Sequence, residues 1–135
     1  MILIHKLLNS RFLFCVCLYY MSKMVKKIIV EGYEEFTAKV KAPEFEGMTK
    51  FCLFTGSLDP TTNESWCSDT RTFEPVVTKK METLEGKNVI FISCFVGGLD
   101  SWKNKQNPFR TDTKLNLSEI PTFLKYGSPQ KKMIN

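Results

Sequence analysis

Apolar positions along the chain follow two different periods. Lys27–Val30 is a short β-branched run, Lys50–Thr55 (KFCLFT) is a second strand-like run closed by Gly56, and Asn88–Phe95 (NVIFISCF) is almost uninterrupted. A run without alternation is what a strand covered on both faces requires, so Asn88–Phe95 is expected deep in a sheet. Between these runs the spacing changes. Phe36 and Val40 recur four apart within the charged stretch Tyr33–Lys41, with Pro43 beyond, which predicts an amphipathic helix. A longer helical pattern runs from Ser65 to Leu84, with Val76, Val77 and Met81 on its apolar side, Gly86 as its stop and a kink expected at Pro75. Asp100–Asn107 predicts a short helix broken by Pro108. Thr122–Tyr126, Gly127-Ser128-Pro129 and Gln130–Ile134 predict a terminal β-hairpin.

This order mixes helical crossovers, which join parallel strands, with a closing hairpin, which joins antiparallel ones. The expected fold class is therefore α/β, a three-layer sandwich around a mixed sheet. A length of 135 residues suits one domain with one core, and residues 24–135 are assigned to it.

Residues 1–23 stand apart as an apolar leader. Phe12–Met21 (FLFCVCLYYM) follows Lys6 and Arg11, but it is shorter than the roughly 20 residues that a helix needs to cross a bilayer. Two readings are open: a secretory signal or anchor, for which Leu18, Tyr19 and Tyr20 make a poor cleavage site, or a non-native extension before a start at Met21 or Met24. The second reading implies a cytoplasmic protein. The first implies the secretory route, where Asn63-Glu64-Ser65 and Asn116-Leu117-Ser118 would be glycosylation acceptors. A membrane is a partner only if the leader is functional.

The net charge of +5 suggests a polyanionic partner until it is placed along the chain. Lys6, Arg11 and Lys23 lie in the leader with no acid among them, and removing these three from the 19 basic residues leaves 16 against 14 acidic ones. A body so nearly balanced has no footprint for a phosphate backbone, so nucleic acid is excluded. The only histidine, His5, also lies in the leader, which leaves the body no histidine base and no His-containing zinc set. No metal and no organic cofactor are expected. Cys52, Cys67 and Cys94 are odd in number and far apart, unlike a disulfide scaffold. Cys94, at the end of the strongest strand, reads as a buried small hydrophobe. Cys67 follows Trp66 at a polar loop-to-helix junction, which is poor core sequence and reads as a reactive thiol.

Trp66-Cys67-Ser68-Asp69-Thr70 after a strand and at a helix start, with Ile120-Pro121-Thr122 before the hairpin, resembles a thioredoxin active site facing its cis-proline loop. Phe54-Thr55-Gly56-Ser57, Glu74-Pro75-Val76-Val77, Trp102-Lys103, Phe109-Arg110 and the run from Pro121 to Lys131 extend the likeness. Over Val25 to Lys131 the chain resembles the thioredoxin domain-containing protein 17 family, whose motif is Trp-Cys-Pro-Asp-Cys. The resemblance implies a thioredoxin-like fold and disulfide-reductase activity. It also implies cystine or a disulfide-bearing protein as substrate, peroxidase activity, and modulation of tumour-necrosis-factor signalling. By position it implies Cys67 as nucleophile and Pro121 as a cis-proline beside which an extended substrate pairs. Trp66, Ser68, Asp69 and Ile120 join Pro121 on the substrate surface, and Trp102 is read as core or rim.

Ser68 and Thr70 depart from the family motif. With Thr70 in place of the resolving cysteine, monothiol behaviour is expected, in which an external thiol such as glutathione or the thioredoxin reductase system releases the Cys67 adduct. A hydrogen bond from the Thr70 hydroxyl is expected to help hold the Cys67 thiolate. The alternative is a redox-inactive thioredoxin-fold binding or signalling module. Family members also carry a helix after the hairpin. Its absence from these residues is expected to leave a sheet face open, with Phe12–Met21 as the element that folds back over it.

Overall fold

The computed structural model describes residues 13–16, 25–84 and 88–128. Within them the elements are β1 (Lys26–Glu31), α1 (Gly32–Val40), a 3-10 turn (Pro43–Phe45), β2 (Thr49–Thr55), α2 (Ser68–Glu82), β3 (Val89–Phe95), α3 (Leu99–Lys103), α4 (Pro108–Thr111) and β4 (Thr122–Lys125). The strand order is β1-β3-β2-β4, with β3 parallel to β1 and β2, and β4 antiparallel to β2. This is the mixed sheet of a thioredoxin-like α/β fold.

The handedness of crossovers explains why the sandwich has three layers. The step from β1 to β2 passes over β3, whereas the step from β2 to β3 returns in the opposite direction. Right-handed connections therefore place α1 and α2 on opposite faces. The core is divided accordingly. Phe36 and Val40 of α1 join Val30, Cys52, Phe54, Ile90, Ile92 and Cys94 in one cluster, and Val77 and Met81 of α2 join Leu53, Val89, Phe91 and Phe123 in the other. The alternation of β2 and β3 residues between the clusters is the two-residue period of a strand buried on both sides. On β1 the same alternation turns Ile29 to the α2 face, where it is 61% exposed.

Local chemistry moves several boundaries. α2 begins at Ser68 rather than Ser65, because Ser65 forms an isolated antiparallel bridge with Leu58 and Cys67 stays extended as the N-cap (φ −90, ψ 111). The helix continues through Pro75. The single helix expected over Asp100–Asn107 is interrupted: α3 stops at Lys103, Asn104 turns extended, and the Asn107 side chain accepts the Phe109 N–H at 3.0 Å to cap α4. Pro108 thus opens a helix, since an N1 residue needs no amide donor. The second strand of the expected hairpin, Gln130–Ile134, lies outside the described residues. Of the leader, Leu13 and Phe14 are described and are 63% and 68% exposed, so these two side chains do not cover the sheet as was expected of Phe12–Met21.

Phe54 ties the larger cluster together, with its ring centroid 5.0 Å from Phe36 and 5.7 Å from Phe109, and it is wholly buried. Phe54→Ala is expected to cost about 3–5 kcal/mol, since both the transfer energy and the cavity count against the variant. Urea unfolding of the two proteins measures this, and a loss below about 1 kcal/mol would refute such a role for Phe54.

Candidate active site

Glu31 and Thr55 both stand opposite Phe95, so β1, β2 and β3 finish at one edge of the sheet. Ligands of open α/β sheets gather outside such carboxyl ends. Here the edge is crossed by residues 56–67, which lead into α2. Asp59 organises this loop: its Oδ1 accepts the Thr61 N–H at 2.7 Å and the Thr62 N–H at 3.3 Å, and its own N–H donates to Glu64 O at 2.8 Å. The Thr61 and Thr62 amides hold the Asp59 carboxyl below its ordinary pKa. An ion pair of 2.8 Å between Arg71 and Glu64 fastens the loop to α2.

Cys67 emerges from this loop half-buried. Its N–H donates to Ser65 Oγ at 3.2 Å, and the same hydroxyl donates to Gly56 O at 2.7 Å, so the backbone at Cys67 is pinned to the end of β2. Its Sγ donates to Ile120 O at 3.8 Å. The Ile120–Pro121 peptide bond is cis. Trp66, half-buried beside Cys67, donates its indole N–H to Gly97 O at 2.9 Å. Its ring lies so near Gly56 that a Cβ there would stand 2.8 Å from Cε2. Ser68 and Asp69 are exposed in the first turn of α2. Ile120 thus faces the Cys67 thiol with Pro121 next to it, while Trp66 precedes Cys67 and Ser68 and Asp69 follow it in the chain.

Thr70 is placed differently from the other members of this group. It is fully buried beneath the first turn, and its Oγ1 accepts the Gly56 N–H at 3.4 Å. The expected hydrogen bond from Thr70 to Cys67 does not appear among the described residues; the partner of the Thr70 hydroxyl is Gly56. The adjacent Thr55 hydroxyl is buried without a partner.

The loop carrying Ile120 and Pro121 is held from below. Arg110 stacks on Trp102 at 4.0 Å, donates from Nε to Trp102 O at 2.7 Å and from a terminal nitrogen to Ser118 O at 3.3 Å. Trp102 itself is buried at 6% exposure, in the core. The Tyr33 hydroxyl donates to Asp112 at 2.7 Å. Burial opposes ionisation of Asp112, but the Tyr33 hydroxyl and the Lys114 and Leu115 amides outweigh it and leave the carboxyl below its ordinary pKa. Ser57 and Arg110 stand in segments that carry the family likeness, but nothing local in the sequence marks them, Ser65 or Gly97 as supports of this site.

The remaining thiols of the body are of another kind. Burial pushes Cys52 up to about 12, and burial with Cys52, Glu31 and Glu35 nearby pushes Cys94 up as well. Both therefore stay protonated at neutral pH, when the thiolate is the reactive species. A cleft of about 310 Å³ lined by Gly47, Thr49, Phe51, Leu84, Asn88 and Val89 opens at the opposite ends of β2 and β3 and shares no residue with the Cys67 site. Among the described residues no cluster of His, Cys, Asp or Glu side chains could hold a metal ion, and no helix is long and apolar enough to cross a membrane.

A cysteine capping the helix that follows β2, opposite a proline loop that leads into an antiparallel strand, defines a protein of the thioredoxin class. The family model described as thioredoxin domain-containing protein 17-like, thioredoxin domain, matches residues 29–135, and the chain belongs to that family. It is 42% identical over 106 residues to thioredoxin domain-containing protein 17 of Mus musculus, covering 78% of this chain and 81% of that protein. The Homo sapiens protein of the same name is 40% identical over 106 residues with the same coverage. The thioredoxin-like protein Clot of Oryza sativa is 30% identical over 84 residues, 60% of each chain. Family membership supports a thioredoxin-fold redox protein in general.

Two outcomes are expected. Among the cysteines after residue 24, iodoacetamide at neutral pH should label Cys67 in the folded protein and reach Cys52 and Cys94 only after denaturation, with exposed Cys15 labelled separately; peptide mapping that finds Cys52 or Cys94 labelled before Cys67 would refute this assignment. Gly56→Ala should displace the Trp66 ring and destabilise the fold by about 1–3 kcal/mol, read by denaturant unfolding with tryptophan emission, and an unchanged emission would show that the close approach is not maintained.

Proposed function

We propose that the protein is a thiol–disulfide oxidoreductase of monothiol type, with Cys67 as its nucleophile and a cystine-like compound or disulfide-bearing protein as substrate. The observation that carries this reading is the position of Cys67: half-exposed at the N-cap of α2, facing Ile120 across 3.8 Å, while Cys52 and Cys94 are fully buried. The free N–H groups and dipole of a first helical turn favour the negative charge of a thiolate. In the forward step the Cys67 thiolate attacks one sulfur of the substrate, an S–S bond to Cys67 forms, the substrate S–S bond breaks, and the leaving thiolate takes a proton from solvent. With Thr70 in the second motif position there is no thiol at that place to resolve the adduct. An external thiolate, such as glutathione, attacks the substrate sulfur of the adduct and returns Cys67 as thiolate. A peroxide would be reduced by attack of Cys67 on the O–O bond, giving a sulfenic acid and water or alcohol, and two external thiols would restore Cys67. This reading places the protein in the cytoplasm, where glutathione and thioredoxin keep thiols reduced. Under the alternative assignment of residues 1–23 as a signal, the compartment would be the secretory route.

One observation favours a second reading, a redox-inactive binding or signalling module. The Thr70 hydroxyl is buried and engaged with Gly56, so the site holds no second reducing group behind Cys67.

Incubation with cystine followed by intact-mass analysis separates the two. The oxidoreductase reading expects a cysteinyl adduct that peptide mapping places on Cys67, apart from any on exposed Cys15, absent from Cys67→Ser and released by glutathione; a wild-type protein that forms no adduct on Cys67 would leave the binding module. Thr70→Cys is expected to gain turnover coupled to thioredoxin reductase.

A further inference from the structure

The ends of three strands and one indole are joined in a single hydrogen-bonded chain. Glu31 closes β1, and its Oε1 accepts from Ser57 Oγ at 2.7 Å. The same Ser57 oxygen accepts the Gly97 N–H at 2.9 Å, and the Ser57 N–H donates back to Gly97 O at 3.1 Å. Gly97 O in turn accepts the Trp66 indole N–H at 2.9 Å, and the Trp66 backbone N–H reaches Ser57 O at 3.5 Å. Gly97 holds φ +108, a conformation that L side chains rarely adopt, so its carbonyl is aimed by these bonds and by the absence of a Cβ.

The direction of the chain is fixed by chemistry. An ionised carboxylate can only accept, so Glu31 claims the one Ser57 hydroxyl proton and leaves the Ser57 lone pairs for the Gly97 amide. A charged acceptor strengthens that bond and polarises the next one. A second carboxylate is close by, since Glu35 Oε2 accepts the Glu31 N–H at 2.8 Å and holds the Glu31 backbone in place. The end of the chain is the ring that lies against Gly56 beside the half-buried Cys67.

We propose that Ser57 and Glu31 are positioning residues, which fix the Trp66 ring through Gly97 and so set the access of reagents to the Cys67 thiol. Neither residue touches the reacting sulfur. The oxidoreductase reading is needed only for this access to matter in turnover; the access itself is measurable with no disulfide present.

The test uses the full chain labelled with fluorotryptophan, in which fluorine NMR reports Trp66 and Trp102 as separate signals and Trp66→Phe identifies the first. Ser57→Ala is expected to shift and broaden the Trp66 signal, leave the Trp102 signal in place, and raise the rate of Cys67 alkylation by iodoacetamide roughly three- to tenfold, as loss of the part-buried bond to Gly97 and the exposed one to Glu31 allows. Ser57→Thr keeps the hydroxyl and is expected to restore both readouts. Glu31→Ala is expected to act in the same direction with a smaller change, because its bond lies at the surface, and Glu31→Gln, which keeps an acceptor oxygen, to fall between it and the wild type. The proposal is overturned if Ser57→Ala leaves the Trp66 signal and the alkylation rate unchanged, or if both tryptophan signals move and Ser57→Thr rescues neither. Should Ser57→Ala fail to fold, the Glu31 pair decides alone by the same two readouts. Cystine turnover measured alongside tests the oxidoreductase reading separately: its absence from the wild type would sink that reading and leave the Trp66 and alkylation results standing.

Discussion

The burial of β3 on both faces is the constraint on which the rest of this molecule depends. Ile90, Ile92 and Cys94 point to one apolar cluster and Val89 and Phe91 to the other, with nothing on the strand left for solvent before Phe95. Covering one such Val, Ile or Phe side chain is worth about 1.5–3 kcal/mol, so a bare face on β3 would consume most of the stability of a small domain. Helices are therefore required on both sides, and parallel neighbours with right-handed crossovers supply them. Parallel pairing in register then brings the ends of β1, β2 and β3 to one edge. The place where Cys67 stands follows from the packing of a strand that contributes no atom to it.

Around Cys67 the structure solves a different problem, the satisfaction of backbone groups where strands give way to loops. Gly56 is the meeting point: its N–H goes to Thr70, its O receives the Ser65 hydroxyl, and its missing Cβ makes room for Trp66. Thr70 fits this arrangement because a buried hydroxyl is tolerated when it has a partner and costs about 1–3 kcal/mol when it has none. Thr55, one residue before Gly56 and equally buried, lacks that partner. A cysteine at position 70 would offer the Gly56 amide only a weak sulfur acceptor. The departure from the family motif therefore exchanges a second thiol for a stronger hydrogen bond at the base of α2.

What could be read from the sequence divides along range. β3, β2 and α1 are legible because their signals are local: an apolar run, a run closed by Gly56, and Phe36 with Val40 on one helical face. The candidate thiol is legible for the same reason, since Trp66 and Cys67 sit in a segment too polar for a core. The start of α2 is not, because the bonds that keep Ser65–Cys67 extended reach back to Gly56 and across to Gly97, 31 residues from Trp66. The link from Ser57 to Gly97 spans 40 residues and leaves no periodic trace at all. α4 was hidden for a simpler reason. Asn107-Pro108 is a cap followed by an N1 proline, but Pro108 on its own reads as a breaker. Thr70 reads as a partner of the thiol from its place in the motif, whereas its bond to the Gly56 N–H reaches back 14 residues and leaves no local signal.

The burial of Thr70 also constrains how a monothiol cycle would run. In a dithiol site the resolving thiol attacks from within the helix turn, behind the adduct, while the substrate occupies the solvent side. Here Thr70 offers a hydroxyl at zero exposure in place of a thiol, so a releasing thiol would have to approach from the solvent side, which the substrate also uses. The substrate then shields its own bond. A bulky protein bound across Trp66 and the Pro121 loop would protect its mixed disulfide from glutathione, and a small one such as cystine would leave the sulfur open to attack. If Cys67 runs the proposed monothiol cycle, the size of the substrate, more than the strength of the nucleophile, would decide whether it turns over or holds its partner as a mixed disulfide, an outcome distinct from a redox-inactive module that forms no adduct at all.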